Sequence, residues 1–199
     1  IENNVEWILH NGKEHGLNDM PLEQWLQEEV KLVICPDSSS EDYDEHKFLK
    51  DHGITTIVLD HHDIVTPIDK GYLINNQDFR YNVSRNGSGA LVTHKFLQGL
   101  DNQFDLDWSG YFIDLVALSL VSDSMIMSEM ENREYYHFGL ETRDCVNNEF
   151  LGAMIDRFIG SDTYTQRDLG FKIIPKLNSV CRCNDVGLKQ QLILAFIGQ

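Results

Sequence analysis

The stretch ITTIVLDHHDI, residues 54–64, constrains the fold more than any other part of the sequence. Its first six residues are β-branched or aliphatic, and the run is continuously apolar toward its end. Runs of this kind are typical of strands that are covered on both faces, as in parallel sheets. Four titratable residues follow at once, Asp60 to Asp63. The sequence therefore predicts a buried strand whose carboxyl end carries polar side chains.

A second strand is predicted upstream at Leu32–Cys35, and it runs directly into Pro36 and Asp37. Residues 38–53 separate the two strands and carry helix signals: three serines that can cap a helix, acidic residues in the first turn, and a glycine stop. Strand, helix and strand in this order form a βαβ unit with a right-handed crossover. We therefore predict the α/β class, with a parallel Rossmann-like sheet flanked by helices.

The second half of the chain favours helices. One is predicted to begin near Ala90 after two glycines, and others are predicted at 111–121, 132–158 and 188–197. Residues 171–185 are expected to be irregular, because Pro175 and Asn178 interrupt the pattern. The predicted organisation is one α/β domain over residues 1–150 and a helical C-terminal extension over residues 151–199.

Polar residues end both predicted strands. In an open parallel sheet, ligands bind outside the carboxyl ends of the strands, where Asp37 and Asp60-His61-His62 both fall. Asp123 follows the apolar helix at 111–121 and could reach the same rim. Three carboxylates with two imidazoles suit Mn²⁺ or Mg²⁺ better than zinc or copper, and two such ions can clamp the reacting oxygens of a phosphoryl transfer.

Ordinary structural roles compete with this interpretation. Asp37 precedes a helix and could serve as its N-cap, a histidine pair is commonly a surface feature, and Asp123 could cap the next turn. The metal interpretation depends on the combination, since each of these residues stands where an apolar segment stops.

The net charge of −16 limits the possible functions. Nucleic-acid binders usually present a basic face, so the charge argues against purely electrostatic binding but not against metal-assisted chemistry on phosphates. No segment is long and apolar enough to span a membrane, so no membrane partner is expected. The four cysteines are too scattered for a disulfide framework, which favours a reducing, cytoplasmic setting. The sequence makes no prediction of the oligomeric state.

Several stretches together resemble the DHH phosphoesterase superfamily, and its RecJ-type branch of single-strand-specific exonucleases in particular. Asp60-His61-His62 after a buried strand looks like the signature triplet. The other similar stretches, in family order, are KEHGL (13–17), LVICPDSSS (32–40), INNQDFRYNVSRNGSGALVTHKFL (74–97), LVALSLVSDSMIMSEMENREYYHFGL (115–140) and IIPKLNSVCR (173–182).

The resemblance implies a role for each matched position. Asp37 resembles the bridging metal ligand, His61 a direct ligand and Asp123 the remaining one. His62 looks like the imidazole that contacts metal or phosphate, and Asp60 like a ligand or the partner that orients the histidines. Two ions, Mn²⁺ or Mg²⁺, are implied for the complete protein. Residues implied to bind substrate are His62, Gly87, Gly89 and Arg182, although Arg182 could equally be a surface arginine.

Two features of the family are expected but missing. Its first motif, an Asp-rich strand end, should lie upstream of residues 13–17, and its associated substrate-binding domain should follow the C-terminal extension. We therefore expect this sequence to be part of a larger protein and to be inactive alone.

Three functions compete. The first is a Mn²⁺- or Mg²⁺-dependent 5′→3′ exonuclease on single-stranded DNA, acting in DNA recombination and repair. The second is a phosphoesterase of the same superfamily that acts on small molecules or oligonucleotides. The third is a non-catalytic binding module that retains the fold.

Overall fold

The computed structural model describes residues 5–11, 15–66, 68–80 and 84–198. Within these ranges three parallel strands form one sheet in the order β1-β2-β3: β1 Leu32–Pro36, β2 Thr55–Asp60 and β3 Tyr72–Asn75. Cys35 pairs with Val58, and Asp60 pairs with Asn75. The α/β class and the adjacent parallel strands are confirmed. Strand β3 was not predicted, because its four residues are too few to give a clear alternating pattern.

Helices account for most of the remaining described chain. Their bounds are α1 Leu22–Gln27, α2 Tyr43–Asp51, α3 Gly89–Phe104, α4 Ile113–Ser122, α5 Met130–Leu140, α6 Glu149–Phe158, α7 Gln166–Asp168, α8 Ile174–Cys181 and α9 Val186–Phe196. Short 3₁₀ turns stand at Ser109–Phe112 and Arg143–Cys145, and a π-helical turn at Leu169–Ile173 joins α7 to α8. No helix in the described ranges combines the length and apolar character needed to cross a bilayer.

The sheet is fully packed on one face and only partly covered on the other, where Leu32 and Ile34 of β1 are 48% and 49% exposed. On one face Cys35, Val58 and Leu73 pack in a core with Leu49 of α2 and Trp25 of α1. Successive strand residues point to opposite faces. The other face therefore meets α3, which contacts both β1 and β2. This packing fixes the carboxyl ends of the strands beside the start of α3.

A second core lies among the later helices. It joins Leu140 of α5, Leu151 and Ile155 of α6, and Leu169 and Ile173 of the π-helical turn, all with 0% exposure. Residues on either side of position 150 thus share one apolar cluster. The division into a domain over residues 1–150 and an extension over residues 151–199 stays a prediction.

Two local predictions were wrong. The serines at 38–40 do not cap α2, which begins at Tyr43. The backbone of Ser39 is left-handed, with φ of 73°, and the Ser40 hydroxyl donates to Asp60 instead. Residues 171–185 are largely helical, because Pro175 stands in the first turn of α8, where a missing N–H costs nothing.

Candidate metal centre

Asp37 stands just after β1 in a turn that presents its carboxylate at the sheet edge. Its N–H donates to the carbonyl of Leu59 on β2 at 2.8 Å, so the residue still belongs to the sheet ladder. Its φ of 57° is left-handed, a conformation that Asp tolerates better than most residues. The side chain is 59% exposed, and its Oδ1 lies 3.2 Å from Nε2 of His61. A strand end, not a helix cap, therefore positions this carboxylate.

Asp60, the last residue of β2, is buried and fully engaged. Its Oδ1 accepts from the N–H of His61 at 2.7 Å, while His62 Nδ1 lies 2.7 Å from the same oxygen. Its Oδ2 accepts from the Ser40 hydroxyl at 2.6 Å. Burial alone would raise the pKa of Asp60, but the hydrogen bonds from Ser40, His62 and His61 outweigh it and hold the pKa below its usual value. Because both oxygens of Asp60 already accept hydrogen bonds, this carboxylate orients the two histidines rather than binding an ion.

Ser40 hydrogen-bonds to Asp60, and Asn75 hydrogen-bonds to Ser40. The sequence predicted Ser40 only as a helix cap, and it did not identify Asn75 as a site residue. The Asn75 amide donates to the Ser40 hydroxyl at 2.8 Å and to the carbonyl of His62 at 3.0 Å. Its own Oδ1 accepts from the N–H of Gln77 at 2.7 Å. Ser40 and Asn75 are both buried. A hydrogen-bonded chain thus runs from β3 through Ser40 to Asp60 and His62.

Asp37, His61 and His62 form a group that could hold a metal ion. One ligand atom from each residue lies within 4.8 Å of the others. The hydrogen bond to Asp37 raises the pKa of His61, against the lowering effect of partial burial. A carboxylate with two imidazoles is a donor set that Mn²⁺ accepts and that calcium disfavours. The residues present therefore fit a transition-metal ion at this edge of the sheet.

Asp123 follows α4 and faces the same cluster, although it is outside the group of three that meets within 4.8 Å. Burial raises the pKa of Asp123, and the negative charge of Asp37 raises it further, while His61 and His62 lower it. A carboxyl group with a raised pKa beside a second carboxylate gains from a cation that neutralises both. Asp123 therefore lies near enough to Asp37 and His61 to interact with both electrostatically, and its role as a metal ligand stays a prediction.

The N-terminus of α3 closes the cluster on another side. A Cβ atom on Gly89 would lie 2.2 Å from Oδ1 of Asp37, so only glycine allows this approach. Ser88 caps the helix by accepting from the N–H of Leu91 at 3.3 Å. Gly87 precedes the cap, and its carbonyl accepts from the Asn76 amide at 3.1 Å. Gly89 is thus at the cluster, whereas Gly87 positions the chain that enters the helix.

Asn132 of α5 fixes the loop that enters α3. It is 1% exposed, and its amide donates to the carbonyls of Asn86 at 2.7 Å and Ile126 at 3.1 Å. The Asn86 amide in turn donates to Glu129 at 3.0 Å. The stretch at 115–140, in which Glu131-Asn132-Arg133 resembles the Glu-Asn-Arg segment of the family, therefore contributes through this buried asparagine, which supports the start of α3.

Arg182 is not brought to the cluster by the described contacts. It is exposed at the C-terminal end of α8, one residue beyond Cys181. His15, by contrast, was not predicted as a site residue, yet its ring centroid lies 6.1 Å from that of His62. It belongs to the stretch at 13–17, of which Lys13 and Glu14 lie outside the described residues.

A groove of about 750 Å³ opens beside the cluster, and we call it the α3–α8 groove. Asp37 and Asp123 stand in its wall with the start of α3. Its remaining wall is supplied by the 3₁₀ turn before α4 and by α4, α8 and α9. The lining residues are Pro36, Asp37, Gly89, Ala90, Thr93, His94, Leu97, Phe112, Leu115, Val116, Leu118, Ser119, Ser122, Asp123, Ile174, Leu177, Asn178, Cys181, Leu192 and Phe196.

The fold and the site define an α/β domain whose parallel sheet carries, at its carboxyl edge, a group of side chains that could hold a metal ion. Comparison with known proteins gives a more specific result. The chain is similar to the putative SPbeta prophage-derived single-strand DNA-specific exonuclease YorK of Bacillus subtilis, with 26% identity over 98% of the chain and 33% of the relative. It is also similar to the single-stranded-DNA-specific exonuclease RecJ of Haemophilus influenzae, with 27% identity over 96% of the chain and 36% of the relative.

A third relative, the single-stranded-DNA-specific exonuclease RecJ of Bacillus subtilis, is 24% identical over 91% of the chain and 23% of its own length. No family model matches the chain. The similarity over nearly the whole chain confirms the resemblance to RecJ-like DHH exonucleases that the motifs indicated. The chain spans about a third of the length of the first two relatives and less than a quarter of the third.

Proposed function

We propose that this chain carries the metal-binding part of an active site that hydrolyses phosphodiester bonds in single-stranded DNA, as a 5′→3′ exonuclease of DNA recombination and repair in the cytoplasm. The observation that carries the proposal is the convergence of Asp37, His61 and His62 within 4.8 Å at the carboxyl edge of the sheet. The names of the three relatives support the substrate.

Asp37, His61 and Asp123 are the proposed metal ligands, with Mn²⁺ or Mg²⁺ as the ions and two ions in the complete site. Bound there, the ions would supply an activated water and neutralise charge on the phosphate. Asp37 is the best placed of the three to serve two ions, because its carboxylate is 59% exposed and lies beside His61.

Asp60 acts on the reaction through His62. Its Oδ1 fixes the proton of His62 on Nδ1, which leaves Nε2 as the atom that can face an ion or a phosphate oxygen. The Ser40 hydroxyl and the Asn75 amide keep Asp60 and the His62 backbone from moving. Asp60 is therefore a positioning residue in this proposal, and His62 is the group that meets the substrate.

The first turn of α3 is the proposed phosphate-binding element. Helix N-termini present unpaired N–H groups and a positive dipole end to anions. Gly89 opens the helix beside Asp37 with no side chain in between, so a phosphate held there would lie next to the proposed ligands. The chain has a net charge of −16, and the backbone N–H groups at the start of α3 can attract a phosphate without a basic side chain.

Release of nucleotides from 5′-labelled single-stranded DNA by the full-length protein tests the proposal. With Mn²⁺ the labelled mononucleotide should appear first, and an otherwise identical duplex should be cut much more slowly. Chelation should stop the reaction. Asp37→Asn should reduce the rate by several orders of magnitude, because it removes the carboxylate shared by the ions.

The matched control is Asp44→Asn, which removes an exposed carboxylate from the first turn of α2 that is not part of the group formed by Asp37, His61 and His62. It should leave the rate unchanged. Full activity of Asp37→Asn with Mn²⁺ present would exclude the metal role. Cleavage of dinucleotides but not of longer strands would instead identify a small-molecule phosphoesterase.

A further inference from the structure

The α3–α8 groove is a binding surface to which the proposed metal centre assigns no role. Its wall includes the two proposed carboxylate ligands, Asp37 and Asp123, together with residues of α3, α4, α8 and α9. Whatever occupies the groove therefore lies beside the proposed metal ligands. A molecule that places a reacting phosphate at the ligands and extends its apolar groups into the groove fits this continuity.

The groove is apolar beyond these two ligands. Among the residues that the structure describes, its lining contains no Lys or Arg, and no acid other than Asp37 and Asp123. Leu97, Phe112 and Leu177 are among its partly or largely solvent-accessible apolar side chains, and Phe112 is 44% exposed. In a chain with 32 acidic residues this is an unusually uncharged surface.

A surface without cations cannot hold a row of phosphates, because their attraction to proteins depends on Lys and Arg. It can hold nucleobases, which bind aromatic and aliphatic side chains through their flat apolar faces. In a duplex these faces are already stacked inside the helix, whereas in a single strand they are accessible.

We propose that the α3–α8 groove binds the unpaired bases of single-stranded DNA next to the scissile phosphate, with Phe112 as a stacking surface. This inference rests on the proposed function and deepens it. The apolar groove, rather than charge, then selects single strands over duplexes. The few polar groups of the lining, such as Asn178 and Ser119, are too sparse to read each base, so the groove accepts any sequence.

The experiment compares two probes with the same number of phosphates: fluorescein-labelled oligothymidylate and an abasic oligonucleotide of equal length. Their affinities for the chain are measured by fluorescence anisotropy without metal, so that no hydrolysis occurs. We expect the abasic strand to bind at least about fivefold more weakly, since one stacked base contributes about 1–3 kcal/mol. The ratio of the two affinities should not change with salt, because both probes carry the same charge.

Phe112→Ala should lower the affinity for oligothymidylate by about fivefold or more and leave the abasic strand unaffected. Phe104→Ala is the matched control, because Phe104 is 64% exposed near the same 3₁₀ turn and does not line the groove. The comparison of the two probes on the unchanged chain needs no variant and stands even if Phe112→Ala fails to fold.

Equal binding of the two probes would overturn the inference and would indicate that a stretch of polypeptide, not DNA, covers the groove. Failure of the proposed function has a different signature, in which neither strand is hydrolysed with Mn²⁺ although oligothymidylate still binds better. The two ideas therefore fail separately.

Discussion

Gly89 and Asp37 approach each other so closely that a Cβ atom on the glycine would lie 2.2 Å from Oδ1 of the aspartate. The atom it would meet is the end of a flexible side chain. Gly89→Ala should therefore displace the carboxylate from His61 without unfolding the protein. We expect the affinity for Mn²⁺ to fall by about 10–100-fold, as for other changes around metal ligands, measured by titration calorimetry.

Gly99→Ala is the matched control, since it lies on the same helix and a Cβ there meets no atom within 4 Å. It should leave Mn²⁺ binding unchanged and raise the free energy of unfolding by roughly 0.5–1 kcal/mol, because alanine favours helices. If both variants bound Mn²⁺ as the parent does, Asp37 would have no part in the site.

Ser40→Ala tests whether the Ser40 hydroxyl holds Asp60 in the position that orients the histidines. The change leaves Oδ2 of Asp60 and one amide hydrogen of Asn75 without their buried partner. We expect the free energy of unfolding to fall by about 1–3 kcal/mol and the affinity for Mn²⁺ to fall by about 10–100-fold. The ¹⁵N chemical shifts of the His62 ring should also lose the signature of a fixed Nδ1–H form.

Ser38→Ala is the corresponding control, because the Ser38 hydroxyl makes long contacts of 3.4 Å with the carbonyl of Pro36 and with the Ser39 hydroxyl, and none is described with Asp60. Ser38→Ala should change neither the free energy of unfolding nor the affinity for Mn²⁺. If the Ser40→Ala protein were less stable but kept its Mn²⁺ affinity and its His62 signature, Ser40 would have a purely structural role.

The capping box that begins α7 gives a pH-dependent prediction away from the site. Asp168 binds Lys172 and also the side chain and N–H of Thr165, and these interactions lower its pKa to about 2. Because the unfolded value is higher, the stabilisation is complete above about pH 4 and is lost as the pH falls toward about 2. Asp168→Asn should therefore lower the urea midpoint at neutral pH, and the difference from the parent should shrink through this range.

Asp162→Asn removes an exposed acid from the preceding loop and serves as the control for charge alone. Its urea midpoint should stay close to that of the parent protein. A constant gap between Asp168→Asn and the parent from neutral to acidic pH would mean that the carboxylate charge does not stabilise this turn.

The sequence predicted the scaffold of the site because local patterns determine it. The apolar run before Asp60 indicated a buried strand, and the shorter run before Asp37 indicated its parallel neighbour, so the meeting of the two ends followed from sheet geometry. The triplet of Asp60, His61 and His62 needed no long-range information, since the turn after β2 brings both imidazoles to the edge.

The supporting residues could not be predicted in this way. Ser40 and Asn75 are 35 residues apart, and their contact depends on β3, a four-residue strand without a clear pattern. The serines looked like helix caps, which is their commonest local role. Pro175 was predicted to break the chain because proline interrupts helices in their interior, whereas the structure places it in the first turn of α8, where proline is tolerated.

The central claim is that Asp37 belongs to a divalent-metal site, and titration of Mn²⁺ into the metal-free protein and its Asp37→Asn variant tests it most directly. We expect the unchanged protein to bind Mn²⁺ more tightly than Ca²⁺, because imidazole is a poor ligand for calcium. Asp37→Asn should weaken Mn²⁺ binding at least about tenfold while the metal-free stability stays within about 1 kcal/mol. Equal Mn²⁺ affinity of the two proteins, or a preference for Ca²⁺, would contradict the account.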